Sequence, residues 1–198
     1  MWPWEHLAVG YLAYSVLSRV LTGEGPGNRD ALVVVVATQL PDLVDKPLAW
    51  WLGALPSGLS LAHSLVFGVP VCLLVVALTR RLGDPAVGLA YCVGYGSHLF
   101  GDAIYPLLTD GHLRLAFLAW PLVEQPPTSA PGFLTQVFYF LGEFRAFLAT
   151  PRGQLYALFE VGLLTVALAV WVTDGYPGLS DPRHLAREKT GWTGGDRQ

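Results

Sequence analysis

The chain alternates long apolar runs with short polar breaks, and five of the runs have the composition of helices able to cross a bilayer core, which takes about 20 apolar residues. The first spans His6 to Leu21 and ends at Arg19 and the Gly-rich break Thr22 to Gly27. The second opens after Asp30 with Ala31-Leu32-Val33-Val34-Val35-Val36-Ala37 and meets Pro41, Asp42, Asp45, Lys46 and Pro47. The third is Leu61 to Thr79, closed by Arg80 and Arg81, and the fourth is Pro85 to Leu108, with proline at a favourable first helical position. The fifth is Leu155 to Val172. Between the last two, an aromatic stretch from Phe133 to Phe147 carries Glu143 and Arg145 and reads as a helix lying in the interface or packed on the bundle. The expected fold is therefore all-α: a polytopic membrane helix bundle of about five transmembrane helices plus that additional helix. Residues 1–173 form the membrane-embedded bundle, and 174–198 a polar, disordered tail.

Composition agrees with this pattern. Of 198 residues, 53% are hydrophobic and only 14% charged, against roughly 25% charged in soluble domains. The net charge of −3 implies no steering of a charged partner, and a nucleic-acid-binding role is excluded. Cys72 and Cys92 lie inside apolar runs with no Cys/His cluster around them, so they read as small core residues. The N-terminal run has Glu5 and no basic residue before it and no A-x-A site after it, unlike a cleaved signal peptide. With five crossings, Arg19, Arg29, Arg80, Arg81, Arg183, Arg187, Lys189 and Arg197 fall on one side, and Lys46, Arg114, Arg145 and Arg152 on the other. The positive-inside rule then makes this a multi-pass cell-membrane protein with a cytoplasmic tail.

Ionisable residues within apolar spans are costly and mark candidate sites. They are His6, Asp42, His63, His98, Asp102 and Glu160. His98 and Asp102 are four apart and share a helical face. At 1.5 Å per residue, His6, Asp42, His63, His98 and Asp102 lie about 20, 18, 26, 20 and 26 Å from the cytoplasmic ends of their helices. That puts three His and two Asp in one layer, in the outer half of the membrane. Imidazole and carboxylate together suit zinc, manganese or iron, with one ion or two sharing a carboxylate. Asp45 reads equally as a further ligand, an acceptor for a ligand His N–H, or an interface charge. Glu160 reads as a group that orients a ligand, a general base, or a partner of Arg145 or Arg152.

His6 at the head of an apolar helix, Leu40-Pro41-Asp42 as a turn, Ala62-His63-Ser64, and Ser97-His98-Leu99-Phe100-Gly101-Asp102 occur in this order. Together they resemble a family of membrane-bound, metal-dependent hydrolases, the group that includes LexA-regulated inner-membrane proteins. The likeness covers roughly residues 1–125. It implies a metal site from His6, Asp42, His63, His98 and Asp102, and a distant kinship with zinc-dependent phospholipases C and single-strand nucleases. Two positions depart from that pattern: Leu43-Val44-Asp45-Lys46 follows the Pro-Asp pair, and Leu61-Ala62 precedes the central His63.

The expected function is metal-dependent hydrolysis of a phosphoester in a lipid or lipid-linked substrate, with the bilayer as partner. Asp102, Asp45 or Glu160 would handle the proton. The alternatives are a metal-ion or proton transporter using the same ligands, and a non-catalytic membrane scaffold. A phosphatase of the vanadium-haloperoxidase type is excluded, because no Arg stands among residues 91–97 ahead of His98.

Overall fold

The computed structural model describes residues 1–127 and 132–179. It is all-α: α1 Pro3–Thr22, α2 Asn28–Trp50, α3 Leu65–Arg81, α4 Pro85–Thr109, a 3-10 turn Ala116–Ala119, α5 Phe133–Leu148 and α6 Pro151–Thr173. Local chemistry sets several of these ends. Pro3, Pro85 and Pro151 open their helices, where no N–H is needed. Ser64 and Thr150 cap α3 and α6 by accepting from the N–H groups of Val66 and Gly153. Gly23 ends α1 in the left-handed conformation and returns its N–H to the Arg19 carbonyl.

Helix α4 is central, packed against α1, α2 and α3, while α6 lies on α1 and α5 on α6. The α2–α4 seam is close because Gly94 has no side chain; a Cβ there would meet Ala37 Cβ at 2.9 Å and the Val34 carbonyl at 3.1 Å. At the junction of α1 with α2, a Cβ on Gly10 would overlap Thr38 Cγ2 at 2.2 Å. Phe117 of the 3-10 turn is fully buried and packs with Ala37, Tyr95, Leu99 and Ala103.

The expectation of about five transmembrane helices is overturned. Among the described residues, α6 alone is long and apolar enough to cross a membrane. The cause lies in the other helices themselves. Helix α3 has only 17 residues, because Leu61 to Ser64 belong to the loop before it. Helices α1 and α4 dilute their apolar residues with Gly, Ser, Tyr and buried ionisable groups, and α2 carries Arg29, Asp30, Asp42, Asp45 and Lys46. Without five crossings, the count of basic residues on either side no longer fixes an orientation, and the outer-half depth loses its reference.

A second correction concerns Leu40-Pro41-Asp42, which is not a turn. Helix α2 runs through both Pro41 and Pro47. Each proline lacks a donor to the preceding turn, but the helix continues to Trp50 and carries Asp42 and Asp45 on one face. At the start of the expected tail, Asp174 accepts hydrogen bonds from Tyr11 (2.6 Å) and Ser15 (2.8 Å) and pairs with Arg19. Asp174 is thus anchored on α1, Gly178 donates to Asn28 Oδ1 at the start of α2 (2.8 Å), and 180–198 lie outside the described residues. Cys72 and Cys92 are free thiols, each half-buried.

Candidate metal centre

Four side chains converge where α2, α4 and the loop before α3 meet. Asp42 comes from α2, His98 and Asp102 from successive turns of α4, and His63 from the loop. One ligand atom from each lies within 4.8 Å of all the others. His63 Nε2 and His98 Nε2 are 3.0 Å apart. Asp102 Oδ2 is 3.3 Å from both nitrogens, and Asp42 Oδ1 is 3.5 Å from one and 3.8 Å from the other. Both His side chains are fully buried.

The far side of each ring fixes its orientation. His63 Nδ1 is 2.9 Å from Asp45 Oδ2, and His98 Nδ1 is 2.6 Å from the Thr38 carbonyl. A carbonyl only accepts, so His98 Nδ1 carries the proton and its Nε2 presents a lone pair towards His63. Asp45 imposes the same tautomer on neutral His63. Two Nε2 lone pairs at 3.0 Å, flanked by two carboxylates, call for a cation between them. Asp42 Oδ1, buried and without a hydrogen-bond partner, faces the same point. Two imidazole nitrogens and two carboxylate oxygens suit a divalent ion of the zinc type, whose ligand bonds are about 2.0–2.2 Å; a structural site would use all four, and a catalytic one would keep a position for water.

Electrostatics point the same way. Burial pushes the His63 pKa down, but hydrogen bonds with Asp102, Asp42 and Asp45 outweigh it and raise the value to about 10. A proton on His63 here does the work of a cation among three carboxylates. Burial works against the charged forms of Asp42 and Asp102 too, yet both are held below the usual carboxylate range. For Asp42 the opposing groups are His63 and Lys46; for Asp102 they are the Met1 amine and the three His.

His6 stands beside the cluster rather than among the four. Its ring stacks on His98 with centroids 3.7 Å apart. Its Nε2 is 3.2 Å from Asp102 Oδ1, but no hydrogen bond is aligned, and both ring nitrogens are buried without a partner. Burial lowers its pKa to about 4, against the pull of Asp102. Asp45, one of three roles left open by the sequence, takes the second. It accepts from the N–H groups of Ser60 (2.8 Å), Ala62 (2.9 Å) and His63 (3.2 Å) as well as from the His63 ring, so it shapes the loop and orients the ligand. Glu160 sits on α6, accepts from Trp4 Nε1 and touches none of the four. The Thr38 carbonyl was not singled out in the sequence; the only signal for it is its place one turn before Asp42.

No curated protein and no solved structure matches the chain. A family model described as YdjM inner membrane protein matches residues 1–176. That description gives a membrane location and names neither a reaction nor a metal. Because the match takes in all six helices and every residue of the cluster, the chain belongs to the YdjM inner membrane protein family.

Proposed function

We propose that this inner membrane protein is a metal-dependent hydrolase acting on a phosphoester bond of a lipid or lipid-linked substrate. The observation that carries the reading is the pair of facing Nε2 atoms, 3.0 Å apart and closed in by Asp42 and Asp102. His63, His98, Asp42 and Asp102 would hold the ion, with zinc the best match to this donor set. A divalent ion held there with one position left open, by expansion to five-coordination or by release of one carboxylate, would polarise a phosphoryl oxygen and lower the pKa of a water.

The chain's own groups divide the remaining tasks. Asp45 holds the His63 ring through Nδ1, which fixes its tautomer, and its oxygens are engaged by three backbone N–H groups as well. Thr38 does the same for His98 through its carbonyl. His6, neutral at pH 7 and with Nε2 unpartnered, is placed to take up a proton beside Asp102 Oδ1. Glu160 has no part in this scheme. A lipid substrate follows from the membrane location together with the exposed apolar helix faces, which let acyl chains stay in lipid while a head group reaches the carboxylates.

The test is release of phosphate or head group from a panel of phospholipids and lipid pyrophosphates by the protein reconstituted with zinc or manganese. Turnover should vanish on exhaustive chelation and return with metal. Asp42→Asn keeps the size of the side chain but loses the ligand charge, and should reduce turnover to background while the protein still folds. Activity that survives chelation, or is unchanged in Asp42→Asn, overturns the reading.

A further inference from the structure

We propose that Lys46 is an anion-binding residue at the mouth of this centre, where its ammonium holds the phosphate-like group that reaches the metal. The proposal rests on the metal-hydrolase reading and adds to it the recognition of the substrate's charge.

All four side chains of the cluster are buried, Asp102 Oδ1 is taken by the Met1 amine (2.6 Å), and what little surface the cluster keeps is on its carboxylate side. His63 and His98 side chains have no exposed surface, whereas those of Asp42 and Asp102 keep 10% and 8%. Lys46 stands at that side, one helical turn after Asp42 on α2, with its side chain 27% exposed. Its Nζ is 2.5 Å from Asp42 Oδ2. The two oxygens of Asp42 thus divide: Oδ1 faces the imidazoles and Oδ2 faces Lys46.

The lysine is also held in place, which an incidental surface charge would not be. Its ammonium lies 5.6 Å from the centroid of the Trp50 ring. Gly58 packs against both residues, so closely that a Cβ there would meet Lys46 Cγ at 3.2 Å and Trp50 Nε1 at 3.1 Å. An ammonium has three N–H donors, and one of them serves Asp42. The others remain for an oxyanion that arrives past the exposed edge of the cluster. Among the described residues, Lys46 is the one side-chain cation of Lys or Arg type paired with a carboxylate of the four. A phosphoester brings negative charge into a site already lined by three aspartates, so a fixed cation beside the metal offsets part of the repulsion.

The full chain, loaded with zinc in detergent, is titrated with inorganic phosphate, and its metal content is measured in parallel. Lys46→Gln should keep its zinc and bind phosphate about tenfold more weakly, about 1.4 kcal/mol, while Lys46→Arg stays close to wild type. In the wild-type protein itself, phosphate should slow acylation of Lys46 by an amine-reactive reagent, read by mass spectrometry; this arm does not depend on any variant folding. Equal phosphate affinity in Lys46→Gln with zinc retained, or acylation indifferent to phosphate, overturns the proposal and leaves the metal centre standing. Loss of zinc along with phosphate in Lys46→Gln makes Lys46 a positioning residue for Asp42 and overturns it as well. Wild-type protein that takes up no zinc overturns the metal reading and this proposal with it.

Discussion

Around α4, the side facing α2 and the His63 loop buries His98, Asp102, Asp42 and Asp45, whereas α6 leaves Leu155, Leu158, Phe159, Val161, Val166 and Leu168 exposed. Helix α3 behaves like α6, with Leu65, Val69, Leu73 and Leu74 exposed and only Gly68 buried. In water this distribution would be inverted: exposed apolar area costs about 25 cal/mol per Å², and buried charges are costly unless paired. The family's membrane location offers a lipid environment in which an apolar face carries no such cost, and α6 is long and apolar enough to lie in it. The polar groups retained inside are paired with one another, and four of them could hold a metal ion. Inner and outer shells should accordingly differ sharply in how they tolerate substitution.

The largest effect is expected at Asp45. Asp45→Ala removes the acceptor of three backbone N–H groups and of the His63 ring at once. At about 1–3 kcal/mol for each buried donor left unsatisfied, the loss should be at least about 3 kcal/mol in thermal unfolding in detergent, with Asp45→Asn milder. A next step down is Gly94→Val, which forces a side chain against Ala37 and the Val34 backbone; overpacking of this kind costs about 1–3 kcal/mol.

The pH response of the chelated protein sharpens the contrast further. His63 has a folded pKa near 10, above its ordinary value of 6.5. Its contribution to stability is therefore complete below pH 6.5 and is lost as pH rises through 10. Unfolding temperature should fall between pH 7 and 10 without metal and fall less with zinc bound, since the ion replaces the proton. The smallest effect is expected in the outer shell. Val166→Ala on exposed α6 should shift stability by no more than about 0.5 kcal/mol. A Val166→Ala loss as large as that of Asp45→Ala would remove the distinction between the two shells.

Much of this was legible in the sequence, for identifiable reasons. Helix α1 ends at its Gly-rich break and α4 starts at Pro85, because such signals act locally, whereas α6 begins at Pro151, four residues before the run read from Leu155. The four-residue spacing of His98 and Asp102 fixes their common face whatever surrounds the helix. Pro41 misled, because it reads as a break, yet α2 continues through it and so brings Asp42 and Asp45 onto one face. Counting five spans failed because each apolar run was read without its polar positions and true helix ends: α2 carries five charged residues, α1 and α4 carry Gly, Ser and Tyr, and Leu61 to Ser64 fall outside the 17-residue α3. The role of Thr38 was out of reach, since a main-chain carbonyl carries no side-chain signature. Glu160 looked like a site residue only because it is a charge within an apolar run; its partner, Trp4, lies 156 positions away.

The claim on which the account turns is that the four converging side chains form a metal centre. Elemental analysis of the purified full chain after loading and extensive dialysis tests it directly, with wild type beside His98→Ala and Glu160→Gln. At least about one zinc-type ion per chain is predicted in wild type and in Glu160→Gln, and a small fraction of that in His98→Ala, which loses one of the two buried imidazole nitrogens and leaves a cavity in place of the ring. Wild-type protein without bound metal, or His98→Ala holding as much as wild type, would contradict it.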